Sequence, residues 1–421
     1  MPNKNDDIIK ILEPIEPVLK SFLSEIKRDN TDFELIKTEN ALDRILFTEI
    51  KALQDLPLFD RALIDGYAVN SLSVSMADEN TPIELEIIDD IDIGDEHVIK
   101  LCSNQAVKIS TGAMIPQNAD IVIPPDFTYT EKNKVKIYKS YVSGENIAKR
   151  GDDIAEGEVF IAKNRKIRPQ DIGGILGIGI KEIKVYKKPI VSIIPTGNEL
   201  ISITEEIRPG QVHETNSFVL KGLIEQLGGI AKICPIIKDN PKLIEEGILN
   251  IIKTSDMIII SGGSSVGTKD CTVKAISNIK NSKITAHGIA IRPGKHTLLS
   301  FVEDKPVICL PGNPVACANS FLVFAKPALL DLAGIENSFW QDKKENIKIS
   351  AFLLKDVESP IGREDYIRVR LRKGINGKIT AYPFAGKFSF LSTLVKAHGV
   401  IKIPYDCTKL YEGDMVEVTL F

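Results

Sequence analysis

The sequence predicts a multidomain α/β-plus-β protein built around a doubly wound α/β domain. Three observations carry this. Strand and helix patterns alternate from Pro189 to about Gly334, residues 51–147 hold only short apolar runs between turn residues, and β patterns return after Gly334. A chain of 421 residues also exceeds what one core usually fills, so about three or four domains are expected.

Within the alternating region, Ile190 to Ile194 reads as a strand. Thr215 to Leu227 reads as a helix with Leu220, Leu223, Ile224 and Leu227 on one face, stopped by Gly228-Gly229. Ile230 to Ile237 reads as the next strand. Asp239-Asn240-Pro241 opens a helix with the stripe Ile244, Ile248 and Ile251, its proline legal in the first turn. Asp256 to Ile260 is a third strand, and Val307 to Leu310 leads through Pro311-Gly312-Asn313-Pro314 into a helix carrying Ala318, Phe321, Leu322 and Ala325. Such alternation gives a mostly parallel sheet covered on both faces.

The most informative stretch is Asp256 to Gly267, where a short β-branched run passes directly into Ser261-Gly262-Gly263-Ser264-Ser265-Val266-Gly267. Glycine lets backbone N–H groups turn toward an anion, and serine adds small donors at the same radius. A helix beginning near Asp270 aims its positive end at the same place. The spacing matches neither the Rossmann nor the P-loop pattern, and an ordinary strand-to-helix turn needs only one glycine. Three loops fall at strand carboxyl ends: Pro195 to Glu199, Ser261 to Gly267, and Pro311 to Pro314. Ligands bind at that end in such sheets. The rim carries glycine turns, hydroxyls and the carboxylates of Glu199 and Asp270.

Outside this region, the first 50 residues look helical, and the segment from Ile147 to Gly179, with Arg168-Pro169 opening a helix, returns to pack near them. Ile83 to Ile88, Ala106 to Ile109 and Ile121 to Ile123 suggest a small β-rich domain. Ile347 to Leu353, Tyr366 to Leu371, Gly399 to Ile403 and Val416 to Phe421 suggest a C-terminal β domain.

Composition excludes several function classes. The net charge of −4 is spread along the chain with no basic tract, so nucleic acid is not an expected partner. The apolar run Cys317 to Ile335 is broken by Asn319, Lys326, Pro327 and Asp331, which argues against a membrane span, and the polar start MPNKNDDIIK has no signal-peptide core. Six cysteines without a CxxC pair point to a reducing cytoplasm. Five histidines lack metal-pair spacing and no serine sits in a G-x-S-x-G elbow. A metal would therefore be a hard ion held by carboxylates and phosphate oxygens, namely Mg²⁺.

The loops also occur in a telling order. Asp65-Gly66-Tyr67-Ala68 follows Pro57-Leu58-Phe59-Asp60; then come Thr111-Gly112-Ala113-Met114-Ile115-Pro116, Gly144-Glu145-Asn146-Ile147 and Gly151-Asp152-Asp153-Ile154. Thr196-Gly197-Asn198-Glu199-Leu200, Gly210-Gln211-Val212 with Asn216-Ser217, the Ser261 loop, Arg292-Pro293-Gly294-Lys295 and Leu310-Pro311-Gly312-Asn313-Pro314 continue it, and Gly362 to Tyr366 with Arg368 closes it. In this order the segments resemble the MoeA family, the molybdopterin molybdenumtransferases, which also include the E domain of gephyrin.

The resemblance implies a homodimer of four-domain subunits: an extended domain over 1–50 and 148–180, an inserted β-rich domain over 51–147, a MogA-like α/β domain over 181–333 and a C-terminal β-barrel over 334–421. It implies insertion of molybdate into adenylated molybdopterin with release of AMP. It further implies transient contact with a MogA-type adenylyltransferase and with apo-molybdoenzymes.

By the same resemblance Asp65, Glu199, Asp239 and Asp270 are catalytic, with Glu199 and Asp270 holding Mg²⁺. Thr111, Gly112, Thr196, Ser261, Gly262, Gly263, Ser265, Gly267, Arg292, Lys295, Pro311, Gly312, Asn313, Pro314, Arg368 and Ser392 bind substrate, and Asp65 and Thr111 reach the site across the dimer. Chemistry allows other roles. Arg292 and Lys295 suit either a tetrahedral oxyanion or a solvated hairpin tip. Glu199 and Asp270 suit either a metal or a helix start. Asp65 suits a turn, and Asp239 suits an N-cap. Departures from the family pattern are Ala62, Ile64, Ala148, Ala316 and the Phe388/Phe390 pair. Tungstate insertion, a MogA-like adenylyl transfer and a non-catalytic scaffold remain alternative functions.

Overall fold

A computed structural model describes residues 12–27, 33–96, 98–262, 271–335, 347–374, 377–384 and 390–421. The expected site residues Gly263, Ser265, Gly267 and Asp270, and the departure Phe388, lie outside the described residues. The chain divides into two compact units, one of Met1–Leu35, Asp43–Phe47 and Lys184–Phe421, the other of Ile36–Leu42 and Thr48–Ile183.

The first unit contains the α/β sheet. Its strand order is Ile230–Ile233, Ile190–Pro195, Met257–Ser261, Lys305–Leu310, Leu298–Val302 and Ser282–His287. The first four run parallel, with Ile193 opposite Ile259 and Ile259 opposite Ile308. All five residues of Met257–Ser261 are buried, as a central strand covered on both faces must be. Val191, Ile193, Ile259 and Ile308 pack on Leu220, Ile224, Phe321 and Phe324; on the opposite face Ile194, Ile258 and Ile260 meet Ile244, Ile248 and Ile276. Replacing Ile259 by alanine would leave a core cavity costing about 2–5 kcal/mol.

The helix Asn216–Gln226 begins one residue inside its expected start, and Pro241–Ile251 begins at its proline. The run Pro314–Leu332 is long and apolar enough to cross a membrane, yet 67% of its most apolar stretch is buried inside the protein. It changes to a π-helical turn over Phe321–Ala325 just before Pro327, which lacks the N–H an uninterrupted α-helix would use there. The helix Ile15–Ser24 joins the same core through Ile15, Val18 and Phe22, with the Phe22 ring 4.9 Å from that of Phe301. Helix does not fill the first 50 residues as expected. Phe33–Lys37 is a strand, a five-residue segment too short to hold a helix alone and carrying the strand formers Phe33 and Ile36.

A barrel closes the unit. The strands Glu364–Lys373, Ile379–Pro383, Lys348–Leu353, Met415–Leu420 and Gly399–Ile403 pair in that order, and the last returns to the first. Closure leaves no open sheet edge and encloses Ala351, Ile367, Val369, Ala381, Ile401 and Val418. The short strand Ile291–Arg292 pairs in parallel with Glu364 and Asp365, stitching the α/β domain to the barrel.

The second unit has a six-stranded sheet ordered Ile121–Ile123, Gly66–Val69, Gln105–Ile109, Ile83–Ile91, Lys134–Ile137 and Thr128–Glu131. Tyr67, Val69, Leu85 and Val135 fill one face, and Ala62, Ala68, Val107 and Val122 the other. The helix Pro169–Gly177 opens at Arg168-Pro169, with the buried Asp171 accepting from the Arg168 N–H.

Candidate functional site

The three central strands of the α/β sheet end together, and their turns are clasped by main-chain bonds. Thr196 N donates to Ser261 O at 2.8 Å, and Gly262 N donates to Leu310 O at 3.0 Å. Gly262 has φ +106, and a Cβ there would stand 2.1 Å from Thr196 O, so this close crossing requires glycine. Asn313 caps the following helix by accepting from Val315 N and Ala316 N, with Pro314 in its first turn. Behind the turns, Asn216 Nδ2 donates to Ser261 Oγ at 2.9 Å and to Gly312 O at 2.8 Å. The sequence reading placed Asn216 in a motif but gave it no role.

On the other side of the Thr196 turn stands a pair of carboxylates. A Cβ on Gly197 would lie 2.9 Å from Glu199 Oε1, so the Glu199 carboxylate folds back over a residue that leaves room for it. The segment Lys238-Asp239 is laced to the same turn: Asp239 N donates to Asn198 Oδ1 at 3.2 Å and Lys238 Nζ to Asn198 O at 3.1 Å. Asp239 Oδ1 is buried and has no hydrogen-bond partner among the described residues. Burial, reinforced by the neighbouring Glu199 charge, holds the Asp239 carboxyl above the usual aspartate range. Asp239 is not the helix cap. That role belongs to Asn240, whose Oδ1 accepts from Lys242 N and Leu243 N.

The structure divides the expected substrate-binding side chains. Thr196 and Ser261 are almost fully buried, and Ser261 Oγ lies between Asn216 and Cys317 Sγ, so these two residues build the base of the rim. Burial pushes the Cys317 thiol up to about 12, so it is a neutral packing group.

Arg292 and Lys295 stand in different settings. Arg292 Nη1 lies 3.7 Å from Asp365 Oδ2, and Arg363 holds the same fully buried carboxylate at 2.8 Å. Burial and the adjacent Arg363 lower the Arg292 pKa. Lys295 is exposed on a turn fixed by Asn319 Nδ2 donating to Pro293 O at 2.7 Å and by Thr297 Oγ1 donating to Gly294 O at 2.7 Å. Arg368 is buried in the barrel wall with Nε donating to Thr393 Oγ1 at 3.1 Å, and burial brings its pKa down to about 10. Ser392, one residue before Thr393, is exposed on the helix Leu391–Lys396.

Asp65 and the Thr111-Gly112 turn meet in the second unit, at the ends of the neighbouring strands Gly66–Val69 and Gln105–Ile109. Asp65 Oδ1 accepts from Thr111 N and Thr111 Oγ1, each at 2.7 Å, and these bonds hold its carboxyl below the usual range. Gly112 has φ +84 and donates to Ala62 O at 2.8 Å, which returns the chain to the sheet. Among the described residues no group of three or more His, Cys, Asp or Glu is placed to hold a metal ion.

The chain matches three family patterns in succession: the MoeA N-terminal region (domain I and II) over residues 9–179, a probable molybdopterin binding domain over 192–331, and the MoeA C-terminal region (domain IV) over 350–421. It is 33% identical over 425 residues to a putative molybdopterin biosynthesis protein of Methanocaldococcus jannaschii, covering 98% of this chain and 99% of that one. A molybdopterin molybdenumtransferase of Staphylococcus epidermidis is 29% identical, with 98% and 95% covered. The solved structure of a molybdopterin biosynthesis MoeA protein from Pyrococcus horikoshii superposes with a TM-score of 0.83 at 32% identity, covering 97% of this chain and 99% of that one. Full-length similarity of this kind, over the same order of turns that builds the rim, places the chain in the MoeA family.

Proposed function

We propose that this protein is a molybdopterin molybdenumtransferase, which inserts molybdate into adenylated molybdopterin and releases AMP. The single observation that carries the reading is the Glu199–Asp239 pair beside the clasped strand ends, with a buried carboxylate oxygen that no described residue satisfies. Buried polar groups normally find a partner, so such an oxygen suits a ligand. Magnesium fits the donor set, since two hard carboxylates leave room for phosphate oxygens and water. Glu199 and Asp239 would hold the ion, which when bound neutralises phosphate charge as the phosphoanhydride breaks.

The chain's own groups supply the rest. With the ion bound, Glu199 and Asp239 would both act as carboxylates, and a free oxygen of either is suited to orient a water. The exposed backbone of the Gly312 turn offers neutral contacts to the pterin phosphates. Exposed Lys295 offers a cation to the second anion, molybdate.

The expected four-domain partition, the homodimer with Asp65 and Thr111 shared across it, a cytoplasmic location and transient contact with an adenylyltransferase and apo-molybdoenzymes belong to the same proposal. The test is purified protein with adenylated molybdopterin, Mg²⁺ and either molybdate or tungstate, followed for AMP release and for a cofactor that reconstitutes an apo-enzyme. Molybdate-dependent AMP release is expected. Its absence overturns the reading, and pyrophosphate release from ATP and molybdopterin would instead identify an adenylyltransferase.

A further inference from the structure

We propose that Asn216 is a positioning residue for the pterin site: by donating to Ser261 Oγ and Gly312 O at once, it sets the separation of the two strand-end turns. The proposal rests on the molybdenumtransferase reading. An amide nitrogen has two protons, and both are used here, at 2.9 and 2.8 Å. Neither is left for a ligand, so Asn216 acts through the turns.

The place of these bonds matters. The strands Met257–Ser261 and Lys305–Leu310 end in register, with Ser261 opposite Leu310, and the bond from Gly262 N to Leu310 O follows at once. Beyond it the chains leave for different helices. Asn216 spans the gap from a third element, and the two turns touch closely enough that a Cβ on Gly312 would lie 3.5 Å from Gly262 Cα.

The platform under Asn216 is rigid. It is the first residue of the helix Asn216–Gln226, whose Leu220 and Ile224 are fully buried, and Glu214 Oε1 accepts from Ser217 N at 2.9 Å. Functional geometry is best held by elements of this kind. The residue type is also constrained. Aspartate has the same shape but would present an oxygen to the Gly312 carbonyl, and alanine would leave a buried hydroxyl and a carbonyl without their donor.

The experiment compares Asn216→Ala and Asn216→Asp with Ser192→Ala, which removes another buried side-chain bond of the same sheet, the 2.7 Å contact between Ser192 Oγ and Ser255 Oγ. All are compared with wild type by titration with adenylated molybdopterin and by KM and kcat for AMP release. Both Asn216 variants should bind the pterin nucleotide about tenfold more weakly, with KM raised to match and kcat within about threefold. Ser192→Ala should lose stability and bind as wild type does.

If Asn216→Ala does not fold, Asn216→Asp, which keeps the side-chain volume, carries the test. Wild-type affinity in a folded Asn216 variant overturns the proposal while leaving the enzyme reading intact. A wild-type protein that neither binds adenylated molybdopterin nor releases AMP overturns both.

Discussion

Asp239 and Asp65 both sit on turns that the resemblance assigns to catalysis, and the fold treats them in opposite ways. Asp65 is exposed, and one of its oxygens accepts two bonds from Thr111, which stabilise the anion and tie it to the neighbouring loop. Asp239 is half-buried beside another carboxylate, with a buried oxygen that no described group satisfies. One carboxylate has its charge accommodated locally; the other is held in a state that a ligand or proton would relieve. Strained electrostatics of this kind concentrate at functional sites. The same division separates Arg292, committed to Asp365, from Lys295, exposed at its turn.

The largest expected effect is at Asp239. Asp239→Asn should slow AMP release about 100-fold or more, since it removes one carboxylate of the pair that would hold the ion while keeping its shape. It should also raise the melting temperature at pH 7. A carboxyl whose pKa is raised in the fold contributes stability below its ordinary value and loses it as pH rises through the raised one, so a neutral amide gains at pH 7. That gain should shrink as pH falls toward about 4. Near-normal turnover would erase the distinction from Asp65, and a lower melting temperature at pH 7 would show that the carboxylate is satisfied after all.

Lys295 and Arg292 come next. Lys295→Ala should raise the molybdate concentration for half-maximal activity about 10- to 150-fold, the loss expected for a charge-assisted contact, while pterin binding holds. Arg292→Ala should instead reduce stability by about 1–2 kcal/mol, because the buried Asp365 keeps only Arg363 of its two arginines. Denaturant midpoints beside molybdate saturation curves distinguish them. A pterin-binding defect in Lys295→Ala would move this turn to the phosphate side.

Much of this could be read from residue patterns. The βα alternation announced the α/β domain because buried parallel strands are short, continuous apolar runs and their helices carry a stripe. Four of the five barrel strands were marked by their patterns; Ile379–Pro383 was missed because Ile-Thr-Ala-Tyr-Pro is too short and mixed to stand out. The antiparallel strands Leu298–Val302 and Ser282–His287 left weaker marks: the first is a short run buried on both faces, which strand and helix share, and the second is half-buried with no clean alternation. At the rim, residue type singled out Glu199, the resemblance added Asp239, and neither decided which residue caps the helix. Ser261 looked like a donor and proved buried, and no pattern tied Asn216 to Gly312, 96 residues away. Partners that lie far apart in the chain are set by topology.

A dimer shared across subunits is the next test of the Asp65 contrast. Asp65→Asn should lower the melting temperature slightly at pH 7, opposite in sign to Asp239→Asn, because a depressed carboxylate contributes stability that is present above its ordinary pKa and lost as pH falls. If Asp65 serves a site in the partner subunit, mixed dimers of Asp65→Asn and Asp239→Asn subunits contain one intact site and should recover up to about half the wild-type rate. Verified mixed dimers without recovery would place both residues in one subunit's site or leave Asp65 a turn residue.

The smallest effect is one residue away from the largest. Asn240, whose Oδ1 accepts from Lys242 N at 2.9 Å and Leu243 N at 3.4 Å, caps the helix that follows Asp239. Asn240→Ala should therefore cost about 1 kcal/mol of stability, the usual loss for an N-cap, read as a lower denaturant midpoint with an unchanged slope. AMP release should stay within about twofold of wild type, because the lacing of Asp239 to Asn198 and the turn at Gly197 do not pass through the Asn240 side chain. The pair then separates two roles that adjacent residues share in the sequence: Asp239→Asn loses turnover and gains stability, and Asn240→Ala loses stability and keeps turnover. A drop in turnover at Asn240 comparable to that at Asp239 would show that the placement of the helix start, rather than the unsatisfied carboxylate, sets the reactivity of this rim.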